Sequence, residues 1–171
     1  MIAENSLPGI RLPEIIDFKI DYSKDTMVMP RWPKRKPRPG VDEYGRNELW
    51  YFALNGDSAG IAQEIASGVD PSVGDDVGYT PLHAAVQGGH VSAVQELLNE
   101  GANPNSIDKH GNGPLWTAVL SAPNEKRVEL IRMLLSAGAD PYYENQYGGT
   151  PEKTALEIAH GLEVPFQERF K

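Results

Sequence analysis

Two periodicities divide the chain. Between Ile16 and Tyr22 the residues alternate strictly, with Ile16, Phe18, Ile20 and Tyr22 set against Asp17, Lys19 and Asp21. That is the period-two mark of a half-buried strand. One strand is not stable alone, so it pairs with Thr26–Met29 as a hairpin or lies as an extended strip across the next unit, an N-terminal cap. Ser23–Asp25 is polar but brings no glycine to a turn. Beyond residue 41 the pattern becomes helical, and its clearest instance is Asp75–Asn105. Thr80-Pro81 starts a helix there: a hydroxyl N-cap accepts an orphan N–H, and proline at the first helical position loses nothing. Gly88-Gly89 stops that helix after about two turns. A second helix carries Val91, Val94, Leu97 and Leu98 on one face, and Gly101 supplies the left-handed residue that ends it. Two short helices sharing an apolar face cannot bury it alone, so the unit needs copies of itself on either side.

The copies are present. Gly45, Gly78 and Gly111 are spaced by 33, as are Leu49, Leu82 and Leu115, and Gly68 and Gly101 repeat the interval at the helix end. The period, with Thr80-Pro81-Leu82-His83-Ala84-Ala85, resembles the ankyrin repeat, a β-turn finger followed by two antiparallel helices. The resemblance covers roughly residues 41 to 160. It implies an all-α repeat solenoid of about four units, 41–73, 74–107, 108–144 and 145–171; residues 1–40 stand before it as an N-terminal extension, whose alternating stretch is the short β-hairpin or extended strip read above.

The end units depart from the pattern. Asn47-Glu48-Leu49-Trp50 stands where the second unit has Thr-Pro-Leu-His, and Phe52 stands in the column of Ala85. Small residues there let helices approach closely, so the Trp50-Tyr51-Phe52 run suggests that something other than a full repeat covers this end, with residues 16–29 the candidate. Trp116 occupies the His83 column in the third unit. The step from Gly101 to Gly138 is 37 rather than 33, which places four extra residues between the inner and outer helices at Ser121–Lys126. In the last unit Thr154–Ala159 answers Thr80–Ala85 after a further insertion at Gly149–Lys153. Leu162–Lys171 then leaves a truncated or irregular outer helix, as a C-terminal cap would have.

Composition adds charge to this picture. Residues 1–40 hold eight Lys/Arg and five Asp/Glu, net +3, whereas residues 41–171 hold eight and nineteen, net −11. An acidic body repels nucleic acid and attracts a basic protein surface; surplus carboxylates also keep a repeat array soluble. Pro30–Pro39 carries five cations and one tryptophan, a polyproline-type connector whose Pro30-Arg31-Trp32-Pro33 fits a proline-ligand pattern. The plainer reading is a solvated linker with Trp32 folded back on the body. There is no cysteine, hence no disulfide framework and no thiolate metal site. No apolar run approaches membrane-spanning length, and the first residues lack the basic and apolar regions of a secretory signal. The expected location is the cytoplasm.

No catalytic motif is found: no Gly-x-Ser-x-Gly elbow, no His-Glu-x-x-His, no phosphate-cradling loop and no calcium-loop spacing near Asp70–Asp76. The expectation is a protein with no catalytic residue, metal or cofactor. The resemblance assigns His83 a structural hydrogen bond to the adjacent finger. His90 opens an outer helix, and His110 sits at a turn tip. The resemblance further implies binding along a concave strip of finger tips and inner helices. Position by position, that strip comprises Glu43, Tyr44, Arg46, Asp76, Val77, Tyr79, Lys109, His110, Asn112, Gln146 and Tyr147, with Gln87 and Leu120 on the inner-helix edge. Tyrosines combine contact area with a hydroxyl and favour binding, although turn tyrosines also pack on neighbouring fingers. Small acidic proteins resembling such arrays serve in bacteria as immunity factors against toxins, many of them basic. The expectation is therefore a partner protein, a basic one on the charge argument, gripped or blocked by a monomer or within a 1:1 heterocomplex. The alternative is an adaptor that docks through Pro30–Pro39.

Overall fold

A computed structural model describes residues 38–158; the expectations for residues 16–37 and for the C-terminal tail lie outside them. The described residues form seven helices and no strand: α1 Glu48–Asn55, α2 Ser58–Ala66, α3 Pro81–Gly88, α4 Val91–Asn99, α5 Pro114–Ser121, α6 Asn124–Ser136 and α7 Pro151–Ile158. Odd-numbered helices form one layer, with α1 on α3, α3 on α5 and α5 on α7. The even-numbered helices stack behind them as α2 on α4 on α6. The result is the all-α repeat solenoid expected from the 33-residue period.

The core lies between the layers and is continuous across units. Leu49, Leu82 and Leu115, one column of the repeat, are buried, and so are Ala53, Val86 and Val119 one helical turn later. The outer helices contribute Ile61, Val94, Leu97, Leu130 and Leu134. The side chains at i, i+3 and i+4 share one helix face, so α1, α3 and α5 each seal against their own outer helix and against the next inner one.

Two expectations, the insertions in the third and fourth units, are corrected, and the one that residues 16–29 cover the first unit lies outside the described residues. The first unit is a complete helix pair. The Asn47 side chain caps α1 by accepting the Trp50 N–H at 2.9 Å, and the Phe52 ring lies so close over Gly60 of α2 that a Cβ there would meet it at 2.5 Å. A glycine on the facing helix thus makes room for the large residue. In the third unit the surplus does not form a loop. Two residues separate α5 from α6, as two separate α3 from α4, and α6 is 13 residues long where α4 is 9. The four extra residues become one more helical turn, begun at Pro123, whose carbonyl accepts the Lys126 and Arg127 N–H groups at 2.9 Å. The fourth unit has no insertion at Gly149–Lys153: α7 starts at Thr150-Pro151, the same signal as Thr80-Pro81, and the Thr150 hydroxyl accepts the Lys153 N–H at 3.2 Å. Glu152 and Lys153 stand where the second unit has Leu82 and His83, and polarity at those positions hid the register.

Candidate functional site

Four fingers project from the inner-helix layer, each closed by one side chain. Asp75 Oδ1 accepts the N–H groups of Val77 and Tyr79, both at 2.9 Å. Asp42 does the same for Tyr44 and Arg46, Asp108 for His110 and Asn112, and Asn145 for Tyr147 and Gly149. At the tip, Gly78 turns with φ +80°, a region that disfavours a side chain, and a Cβ there would meet the Ile107 carbonyl oxygen at 2.8 Å. Neighbouring fingers are joined by backbone hydrogen bonds: Asp76 N–H to the Tyr44 carbonyl at 2.8 Å, Lys109 N–H to Val77 at 2.7 Å and Gln146 N–H to His110 at 3.0 Å.

Below the tips, side chains of the inner helices tie each unit to the next finger. His83 is fully buried. Its Nε2–H donates to the Asn112 carbonyl at 3.1 Å, while Nδ1 accepts from the Thr80 N–H and hydroxyl, so the imidazole is neutral in one fixed tautomer. Burial pushes it down to about 4. One unit earlier, Trp50 does the same work: its indole N–H donates to the Tyr79 carbonyl at 3.0 Å. The expected structural role of His83 thus holds, and Trp50 reproduces it with a different ring.

Between these rings and the fingers runs a groove of about 430 Å³. Six of the expected binding residues line it: Arg46, Val77, Tyr79, Gln87, Asn112 and Leu120. The groove also takes in Trp50, Asp75, Asp108, Trp116, Thr117 and Ser121, which sequence reasoning did not select. The signal for them was available in the repeat columns: Trp50 and Trp116 fall in the column of His83, and Asp75 and Asp108 repeat Asp42 at intervals of 33. The Tyr79 hydroxyl donates to Gln87 Oε1 at 3.0 Å. Burial first, then the carboxylates of Asp108 and Asp75, push this phenol up to about 12. At the N-terminal end of the groove the Arg46 guanidinium stands 4.2 Å over the Trp50 ring and 5.0 Å from that of Tyr44, with its Nε 3.5 Å from Asp75 Oδ2.

The other seven expected residues lie along the finger edge, outside the groove. Tyr147 is 77% exposed; its hydroxyl is 3.4 Å from His110 Nδ1 and the two rings stack. Gln146 donates to the Lys109 carbonyl, and Asp76 pairs with Arg38. Glu43 and Tyr44 are exposed beside Asp42, whose carboxyl the Tyr51 hydroxyl holds below the usual carboxylate range. Among the described residues no three of His, Asp and Glu converge to hold a metal ion, and no helix is long and apolar enough to cross a membrane.

A family model for ankyrin repeats, in three copies, matches residues 49–145, more than half of the chain. An ankyrin repeat-containing protein of Schizosaccharomyces pombe is 35% identical over 101 residues, 58% of this chain and 45% of the yeast protein. The RelA-associated inhibitor of Mus musculus is 34% identical over 123 residues, 64% of this chain and 15% of its own length. The 2-5A-dependent ribonuclease of Mus musculus is 40% identical over 70 residues, 41% and 9% respectively. The chain therefore spans less than half the length of each of these relatives.

Proposed function

The chain belongs to the ankyrin-repeat family, whose repeats bind protein partners, and on that premise we propose that it is a non-enzymatic module gripping one partner protein through the groove between its fingers and inner helices. The observation that carries this is the groove's lining. Tyr79, Trp116 and Leu120 present apolar surface beside the polar groups of Gln87, Asn112 and Thr117. Aromatic residues flanked by hydrogen-bonding groups are the composition of binding hot spots. Leu120, an apolar side chain, is 46% exposed here and contributes nothing to the core by pointing outward. The finger edge, with Tyr44, His110 and Tyr147, extends the same surface.

The finer reading is inhibition: the module blocks its partner by covering an active or docking surface, in the manner of a toxin-immunity protein. The net −11 of residues 41–171 supports a basic partner. The carboxylates of Glu64, Glu96, Glu125 and Glu129 lie on the outer helices α2, α4 and α6, so they act at long range on encounter, while the groove supplies contact.

The test compares two exposed leucines. Leu120 lines the groove; Leu156, 67% exposed on α7, does not. Leu120→Glu is expected to abolish capture of the partner from the native source, with the urea midpoint unchanged, while Leu156→Glu captures it like wild type. Equal capture by both variants defeats the groove reading.

A further inference from the structure

The finger-closing residues share a second duty. In all four, Oδ1 is spent on the residue's own loop, and in three of them the other terminal atom faces another side chain. Asp42 Oδ2 accepts the Tyr51 hydroxyl at 2.6 Å, Asp75 Oδ2 faces Arg46 at 3.5 Å, and Asn145 Nδ2 donates to Asn112 Oδ1 at 2.9 Å. Asp108 is the exception. Its Oδ1 accepts from His110 and Asn112, and among the described residues no hydrogen bond or ion pair is made by its Oδ2. The repeat explains why. The residue that meets the next finger is Arg46 in the first unit and Asn112 in the third, and in the second it is Tyr79, whose hydroxyl is turned to Gln87 instead. The phenol, held up to about 12, stays neutral and cannot balance the carboxylate.

We propose that the groove receives an arginine side chain of the partner, its guanidinium meeting Asp108 Oδ2 against the aromatic wall formed by Tyr79 and Trp116. This rests on the groove being the partner-binding surface. The molecule displays the same chemistry one unit earlier, where Arg46 stacks on Trp50 while facing Asp75. Arginine suits the place because its planar, weakly hydrated cation stacks on aromatic faces and hydrogen-bonds a carboxylate in the plane of the fork. Among the described residues Arg46 is the one cation lining the groove, and Asp75 already faces it, so it does not neutralise Asp108. The acidic balance of the body favours the approach of such a partner.

The experiment titrates the full ¹⁵N-labelled chain with N-acetyl-arginine methylamide and with the neutral citrulline counterpart. The expected result is a saturable shift of the His110 and Asn112 N–H signals and of the Trp116 indole N–H, absent with citrulline. Asp108→Asn should weaken the arginine probe roughly tenfold, as loss of a charge-assisted hydrogen bond does. That variant keeps its finger, because Asn145 closes the fourth one with an amide. Equal shifts with citrulline, undiminished binding in Asp108→Asn, or shifts confined to other carboxylates such as Glu43 or Asp140 overturn the assignment. The citrulline comparison uses wild-type protein and so does not depend on the variant folding. Since the probe needs no partner, a flat titration beside lost capture in Leu120→Glu sinks the arginine assignment alone. Retained capture in that leucine variant sinks the groove reading itself.

Discussion

His83 ties stability to pH. Its neutral form is the one the fold accepts, and burial holds it down to about 4 against an ordinary 6.5. Between those values the unfolded chain binds a proton that the folded chain refuses. The stability due to this residue is complete above pH 6.5 and is lost progressively as pH falls towards 4, on the order of 3 kcal/mol in all. Urea midpoints of wild type measured at pH 7 and pH 5 should differ more than those of His83→Gln. Two glycines separate backbone strain from crowding. Gly101, at φ +84°, has open space where a Cβ would go, so Gly101→Ala should cost about 1 kcal/mol, the strain of left-handed backbone alone. Gly78→Ala adds a collision with the Ile107 carbonyl and should lower the urea midpoint further than Gly101→Ala. At this scale the sequence is legible where a residue type has one use: Gly101, Thr80-Pro81 and His83 are read directly. Trp50 has several uses, and only the fold gives its indole the hydrogen bond that His83 makes in the next unit.

The inner helices α1, α3 and α5 each stand on a buried leucine of one repeat column, Leu49, Leu82 and Leu115. Leu82 is fully buried among α1, α3 and α5, and Leu82→Ala should cost about 2–5 kcal/mol by denaturant unfolding, the range for truncating a core leucine. The cap of α1 is worth less: Asn47→Ala leaves the Trp50 N–H without its acceptor and should cost about 1 kcal/mol. Element boundaries were legible wherever a start signal met apolar residues in phase, as in α3 and α4. They were misread where polarity displaced the signal. Glu152 and Lys153 make Gly149–Lys153 look like an insertion, and Ser121–Lys126 looks like another although its residues from Asn124 on wind into α6. Helical propensity and the Pro123 start decide that case, and hydrophobic pattern alone carries neither.

For the molecule, the consequence of stacking is that units support one another. Neighbours bury each other's apolar columns, so damage in the second unit spreads to the first and third. Leu82→Ala is accordingly expected to lower the unfolding of the whole array in one cooperative transition. The groove could be placed from the sequence only in part. The repeat gives the columns that face it, hence Arg46, Tyr79 and Asn112. Which side chains turn inward to their neighbours depends on packing between units: among the described residues, Arg46 faces Asp75 Oδ2, and no cation faces Asp108 Oδ2. Charge acts at the same scale. If encounter is steered by the acidic body, the association rate with the captured partner should fall as salt rises from low to physiological strength, with dissociation changing less.

Hydrogen–deuterium exchange on the chain, alone and saturated with its captured partner, reads the contact surface most directly. Binding in the groove predicts slowed exchange in the fingers around Val77 and His110 and at the exposed ends of α3 and α5, with α4 and α6 unchanged. Protection confined to the outer helices α4 and α6, with the fingers exchanging as in the free chain, would contradict the account.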